Sequence, residues 1–411
     1  MVDWETKPLG ELCEFRRGLT YGKSDEVDVS SNVVLRANNV DLATYTLDLS
    51  DLRYISDSVS VPATKKVRRG SLLICTASGS KSHLGKIAYV DDDYGYAFGG
   101  FMGQITPAPG VNDRYLFHAL TSPAYKGFIE ALSDGVNINN LKFDDLRQFP
   151  VPIPDLDEQQ RIVAILDEAF EGIATAKANA EKNLQNAGEL LGTGYRSIIE
   201  RFDQSQWGKA PVADLASANK GSMRTGPFGS QLLHSEFVDD GIAVLGIDNA
   251  VTNEFRWDKR RYITDAKYRD LARYRVHPGD VLITIMGTCG RCAVVPDDIP
   301  LAINTKHLCC ITLDRKKCLP DYLHLYFLHD PLARAYLAAQ AKGSIMAGLN
   351  MGLISALPVR LPTLDQQASI VERFDSLQAE CDRLADVQTQ KLSALNDLKK
   401  SLLHQAFTGA L

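Results

Sequence analysis

Two hydrophobic rhythms alternate along the chain. Between residues 8 and 150, and again between 207 and 357, short apolar runs rich in Val, Ile and Leu are broken by Gly, Asp and Asn, a pattern of strands and turns. Ser71-Leu72-Leu73-Ile74-Cys75 and Val281-Leu282-Ile283-Thr284-Ile285 are examples. Short helices are expected near 115–130 and 321–340, where Tyr115-Leu116-Phe117 and Tyr322-Leu323-His324-Leu325-Tyr326 begin spacings of three and four. Elsewhere the period changes. Ile162, Leu166, Ala169, Ile173, Ala176, Ala180, Leu184, Ala187, Leu191, Tyr195 and Ile198 recur every three or four residues. Ile370, Phe374, Leu377, Cys381 and Leu384 do the same, and after one step of eight Leu392, Leu395, Leu402 and Phe407 carry the apolar positions further. A seam of this kind is not stable in water, so two long helices packed antiparallel on one another are expected. Asp155 with Glu158, and Thr363 with Gln366, have capping-box spacing after proline-rich approaches, which places the helix starts. Gly172, Gly188, Gly192 and Gly194 each weaken the first helix by up to ~1 kcal/mol relative to Ala, so tertiary packing must compensate.

The chain is one unit written twice. Phe149-Pro150-Val151-Pro152-Ile153-Pro154-Asp155-Leu156-Asp157-Glu158-Gln159 returns 208 positions later as Leu357-Pro358-Val359-Arg360-Leu361-Pro362-Thr363-Leu364-Asp365-Gln366-Gln367. Nine of nineteen positions from 149 to 167 are identical at this offset, ending with Asp167 and Asp375. Gly135 pairs with Gly343 at the same offset. Arg53-Tyr54-Ile55 matches Arg261-Tyr262-Ile263, and Gly85-Lys86-Ile87-Ala88-Tyr89-Val90 matches Gly290-Arg291-Cys292-Ala293-Val294-Val295. So long a period marks a duplicated domain, not a solenoid. The expected fold is α+β: two mostly β domains, 1–150 and 207–357, alternating with helical spacers, 151–206 and 358–411.

Length and composition fit this plan. The 411 residues are too many for one core, and 45% apolar with 23% charged residues is an ordinary globular balance. No basic-then-apolar leader and no long apolar run is present, so a cytoplasmic protein without a membrane span is expected. A net charge of -6 argues at first against a polyanionic partner, but residues 151–206 carry -5 of it while 207–357 carry +3. Global acidity therefore does not describe the surface of the globular halves.

Motifs for chemistry are weak. Gly18-Leu19-Thr20-Tyr21-Gly22-Lys23-Ser24 imitates a phosphate loop with one residue too few between its glycines. Cys289, Cys292, Cys309 and Cys310 invite a zinc reading, but the second pair lacks a spacer and Cys292 lies in a strand-like run, so buried thiols are expected. Asp91-Asp92-Asp93 reads as a solvated turn. No Asn-Pro-Pro-Tyr/Phe tetrapeptide, dinucleotide fingerprint or complete P-loop occurs, so the chain is expected to hold no cofactor and to carry no catalytic or metal site.

Thr225-Gly226-Pro227-Phe228-Gly229-Ser230-Gln231-Leu232 resembles the opening signature of a target recognition domain in the DNA specificity subunit of Type I restriction-modification enzymes. The run from Gly279-Asp280-Val281-Leu282-Ile283-Thr284 to Gly290-Arg291-Cys292-Ala293-Val294-Val295, and the repeated Pro-Val-x-x-Pro approaches, resemble the same family across nearly the whole chain. The first half departs from the signature, with Arg17-Gly18-Leu19-Thr20-Tyr21-Gly22-Lys23 in its place. The resemblance implies a non-catalytic subunit that binds one bipartite, asymmetric site on double-stranded DNA. Two methyltransferase subunits would be held by it, and two restriction subunits in the full enzyme, with S-adenosylmethionine, ATP and Mg confined to those partners. The rival readings are a scaffold with duplicated protein-binding domains and a stand-alone DNA methyltransferase.

If DNA is the ligand, Lys and Arg should neutralise phosphates while amide, guanidinium and hydroxyl groups on loops read bases. The candidates in the second domain are Arg224, Gln231, Thr288, Arg291, Lys306 and His307. Their first-domain counterparts by repeat position are Arg16, Arg17, Lys23, Ser78, Ser80, Lys81 and His83. The clusters Lys65-Lys66, Arg68-Arg69 and Lys259-Arg260-Arg261 suit either phosphate contact or plain solvation. Leu166, Ile173, Leu184, Leu190, Leu191, Phe374, Leu377, Leu384, Leu395 and Leu398 are assigned to packing within the helix pair or against a partner. Forty-odd helical residues span roughly 65 Å, against ~34 Å for one turn of B-DNA, so the helices could act as a ruler between two readers.

Overall fold

The structure is a computed structural model that describes residues 4–78, 83–133, 140–340 and 349–411. It divides into two compact units, residues 1–181 with 389–411 and residues 182–388, so each long helix contributes to both.

In unit 1 the strands are β1 (Thr6–Pro8), β2 (Cys13–Arg17), β3 (Glu26–Val27), β4 (Asn32–Leu35), β5 (Arg53–Ile55), β6 (Leu72–Cys75), β7 (Ile87–Tyr89), β8 (Ala97–Phe98), β9 (Met102–Pro107) and β10 (Pro150–Pro152). They form sheets ordered β2-β9-β6-β7 and β3-β5-β4-β8, plus the pair β1-β10. β6 is buried on both faces, which explains its unbroken apolar run: Leu72 and Ile74 join the core beneath the helices, while Leu73 and Cys75 join the core containing Phe98 and Met102. The expected short helices are Asp113–Ala119 and Pro123–Ser133.

Unit 2 repeats this topology with β11 (Gly208–Pro211), β12 (Met223–Thr225), β13 (Ile242–Leu245), β14 (Tyr262–Ile263), β15 (Arg275–Val276), β16 (Val281–Thr284), β17 (Cys292–Val294), β18 (Ala302–Asn304), β19 (Leu308–Ile311) and β20 (Pro358–Leu361). The order β12-β19-β16-β17 reproduces β2-β9-β6-β7, and β11-β20 reproduces β1-β10. In the second sheet the parallel pair β13-β18 corresponds to β4-β8. Register then equates positions residue by residue: Thr284 lies opposite Leu308 as Cys75 lies opposite Met102. The short helices here are Pro320–His329 and Pro331–Gln340.

Two long helices, Leu156–Glu200 and Leu364–Ala406, follow the repeated proline segments. Asp155 Oδ1 accepts from the Glu158 amide at 2.9 Å, and Thr363 with Gln366 forms the reciprocal cap at 3.2 and 3.3 Å. In unit 1 the segments run antiparallel: Arg161 donates to the Leu411 carbonyl, and further along Lys177 donates to Asn396. In unit 2 Tyr195 meets Phe374 edge-on at 6.2 Å, and a methyl added at Gly194 would collide with Leu377. Gly194 therefore permits close helix approach, whereas Gly172, Gly188 and Gly192 face open space.

The seams differ in part from the expectation. Leu166, Ile173 and Phe374 are buried, and Leu191, Leu377 and Leu395 are half-buried. Leu184, Leu190, Leu384 and Leu398 are exposed. In the second helix the seam passes from Cys381 through half-buried Ala385 and Gln388 to Leu392. The apparent step of eight is thus two ordinary steps and part of a third, carried by residues too small or too polar for a hydrophobic search to find.

Each globular sheet is fastened to its helix by one buried glutamine. Gln159 Oε1 accepts from the Asn112 amide at 2.8 Å, and its Nε2 donates to the carbonyls of Pro154 at 2.9 Å and Gly110 at 3.3 Å. Gln367 does the same with Leu319, Pro362 and Lys317 at 2.9, 3.0 and 3.1 Å. Tyr115 and Tyr322 add hydroxyl bonds to the Pro152 and Arg360 carbonyls at 2.7 and 2.8 Å.

Candidate nucleic-acid interface

Backbone hydrogen bonds gather the loops at one end of the sheets in each unit. In unit 2 the Gly226 amide donates to the Thr305 carbonyl at 3.3 Å, Thr305 to Leu245 at 2.9 Å, and Ile285 to His307 at 2.9 Å. The segments after β12, β13, β16 and β18 are thereby brought together. Gly226 is essential to the junction, because a Cβ there would overlap Asn304 and Thr305. In unit 1 the equivalent bonds are Gly18 to Met102 at 3.1 Å, Leu19 to Phe98 at 2.7 Å, Gly99 to Leu35 at 2.9 Å and Thr76 to Phe101 at 2.9 Å. Gly18 presses on Gly99 as Gly226 presses on Thr305. The two different sequences Arg17-Gly18-Leu19 and Thr225-Gly226-Pro227 therefore serve one structural purpose.

Most of the candidate readers lie on these loops. Gln231 is exposed, and its Oε1 accepts from the Tyr274 hydroxyl at 2.9 Å and from Arg273 at 3.3 Å. Thr288 and Arg291 are exposed on the turn after β16, which is closed by Thr284: its hydroxyl donates to the Thr288 carbonyl at 2.5 Å and accepts from the Arg291 amide at 2.9 Å. Lys306 and His307 are half-buried on the β18–β19 turn. Burial, together with the nearby charges of Lys306 and Arg261, lowers the His307 pKa, which favours the neutral imidazole able to accept as well as donate. In unit 1 Arg17 is exposed with its guanidinium 5.3 Å from the Phe143 ring centre, and Lys23 is exposed on a short turn. Ser78 and His83 are half-buried on the β6–β7 connection, whereas Ser80 and Lys81 lie outside the described residues.

Arg224 must be removed from the set. It is 8% exposed and pairs at 2.6 Å with Asp280, itself 1% exposed. The same guanidinium donates to Thr312 at 3.0 Å, to the Gly221 carbonyl at 3.2 Å and to the Arg275 carbonyl. A buried charge with this many partners is held by the fold and is not available to a ligand. Its register counterpart, Arg16, is only half-buried and pairs with exposed Glu14 at 3.0 Å, because unit 1 has neutral Ser71 and Gln104 where unit 2 has Asp280 and Cys310. Neighbouring cations are partly occupied: Lys65 donates to the Arg17 carbonyl at 2.8 Å and Arg261 pairs with Asp248, while Lys259 and Arg260 are exposed.

Sequence reasoning did not single out Phe101, which is 73% exposed on the turn between β8 and β9. The signal lay in its flanks, Gly99 and Gly100 before it. The four cysteines near the unit 2 sheet are buried thiols, with Cys309 pushed up to about 12 by burial. Among the described residues no group of three His, Cys, Asp or Glu side chains is arranged to hold a metal, and no helix is long and apolar enough to cross a membrane.

The fold defines an internally duplicated α+β protein in which each β domain is mounted on paired segments of two long helices and presents its own cluster of loops. Residues 1–185 and 259–394 match the family described as the Type I restriction modification DNA specificity domain, and the chain belongs to that family. It is similar to the specificity subunit of the Type I restriction enzyme StySPI from Salmonella potsdam, with 27% identity over 99% of this chain and 89% of the relative. It is likewise similar to the EcoKI specificity subunit of Escherichia coli strain K12, at 26% identity and the same coverage. A solved structure concerned with complex assembly and conformational transition of the type I R-M system shares the fold, with TM-score 0.76 and 18% identity over 99% of this chain and 98% of that one. The HsdS subunit from Thermoanaerobacter tengcongensis also shares it, with TM-score 0.59 and 17% identity over 99% of this chain and 97% of that one.

Proposed function

We propose that each unit reads one half of a bipartite, asymmetric site on double-stranded DNA, and that the long helices set the gap between the halves. The observation that carries this reading is that one loop architecture recurs in both units with different side chains: Arg17, Gly99, Gly100 and Phe101 occupy in unit 1 the positions of Thr225, Thr305, Lys306 and His307 in unit 2. Equal frames with unequal contents read unequal sequences. Lys23, Arg17, Lys306, Lys259 and Arg260 would neutralise phosphates, while Gln231, Thr288, Arg291, His307, Ser78, Ser80, Lys81 and His83 would face the grooves. The chain would have no chemistry of its own. Two methyltransferase subunits, and two restriction subunits in the full enzyme, would bind S-adenosylmethionine, ATP and Mg. Exposed Leu184, Leu190, Leu384 and Leu398 on the long helices suit contact with such partners.

The test is to insert one heptad into both long helices of the chain assembled with its methyltransferase subunits. Seven residues add about 10.5 Å, or roughly three base pairs at 3.4 Å each. Mapping of methylated adenines should show both half-sites unchanged and the gap lengthened by about three base pairs. An unchanged gap would count against the ruler.

A further inference from the structure

Phe101 stands at the tip of the β8–β9 turn with its ring 73% exposed while its backbone is held from several sides. Its carbonyl accepts from the Thr76 amide at 2.9 Å, the Thr76 hydroxyl at 3.0 Å and the Ala77 amide at 3.2 Å. The turn behind it is packed against Gly18 at Gly99, where a side chain at Gly18 would collide. Lys65, held by the Arg17 and Gly18 carbonyls, and exposed Arg17 bring positive charge to the same glycine junction. The residue is therefore outward on an anchored turn, at a junction that also carries groups suited to phosphates.

Unit 2 builds the same arrangement from a different strand. Gly226 presses on Thr305, the counterpart of Gly99, and two residues beyond Gly226 the ring of Phe228 is 50% exposed. In each unit the glycine-packed junction thus carries one outward phenyl ring beside the loops proposed to read DNA. A single exposed aromatic needs no explanation. Two at the same junction of a duplicated fold, supplied by unrelated local sequences, do.

We infer that Phe101 and Phe228 are base-contacting residues: each ring makes apolar contact with the bases of its own half-site, while the surrounding cations hold the phosphates. This rests on the DNA-reading assignment above. Apolar contact with bases gives sequence preference without adding charge, so its loss should lower specific affinity and leave the salt dependence alone.

The experiment compares wild-type, Phe101→Ala, Phe101→Leu and Arg17→Gln forms of the complex with methyltransferase subunits, binding the methylated-site duplex and a scrambled duplex over a range of salt. Phe101→Ala should weaken binding to the specific duplex about 5- to 100-fold, with the scrambled duplex and the salt slope unchanged, and Phe101→Leu should recover part of the loss. Arg17→Gln should instead weaken both duplexes and flatten the slope. Phe101→Ala should melt at the wild-type temperature, since its ring is out of the core. Unchanged specific affinity in Phe101→Ala, or an equal loss on both duplexes, overturns the inference. A wild-type complex that cannot tell the two duplexes apart overturns the DNA-reading assignment itself.

Discussion

Replacing Gln367 by Leu tests how the target domain of unit 2 is fastened to its helix. The side chain is 0% exposed and satisfies three backbone groups, the Leu319 amide and the Lys317 and Pro362 carbonyls, at 2.9 to 3.1 Å. Leu fills similar space but answers none of them. Each buried group left unsatisfied costs about 1–3 kcal/mol, and the added apolar burial returns about 1 kcal/mol. Partial relaxation toward the low end of each cost leaves a net loss of about 2–5 kcal/mol. Gln159→Leu should cost unit 1 a similar amount, since its three bonds are equivalent. Gln160, exposed one position further on, supplies the control, and Gln160→Leu should change stability by less than about 0.5 kcal/mol. Urea unfolding followed by fluorescence resolves the units, because Trp4 belongs to the unit 1 core, and Trp207 and Trp257 to unit 2. A Gln367→Leu loss below about 0.5 kcal/mol, or a loss confined to the Trp4 signal, would falsify the reasoning.

Two further outcomes are expected. Asp280→Asn strands the buried Arg224 guanidinium and should destabilise unit 2 by about 3 kcal/mol or more, read as a lower urea midpoint; a loss under 1 kcal/mol would mean that water reaches the pair. His329 packs 4.7 Å from Phe374, and burial, followed by the charges of His324 and Arg334, lowers its pKa from 6.5 to about 4. Between those values the unfolded chain binds the extra proton, so the stability linked to neutral His329 is complete above pH 6.5 and declines as pH falls through about 4. His329→Phe should therefore reduce the fall in the unit 2 urea midpoint between pH 7 and pH 4.5, and an identical fall in both proteins would show that other groups control it.

The sequence alone determined the duplication, the alternation of β and helical segments, the helix starts and the family likeness. These follow from local rules: strand and helix periods differ, proline segments end strands, and capping residues act within one turn. It also placed most of the proposed DNA-facing residues on loops, because Gly-rich turns between buried strands have nowhere else to go. Tertiary structure decided which of those residues are free. Arg16 and Arg224 occupy one register position, yet one is half-buried and pairs with an exposed glutamate while the other is buried, and the difference is Asp280 standing where unit 1 has Ser71. The same holds for the adjacent glutamines Gln159 and Gln160, one buried and one exposed, and for Leu384, which a heptad count puts in the seam and the packing turns outward. Burial of a polar or apolar side chain depends on what distant segments set against it, and that is a property of the folded chain rather than of its local pattern.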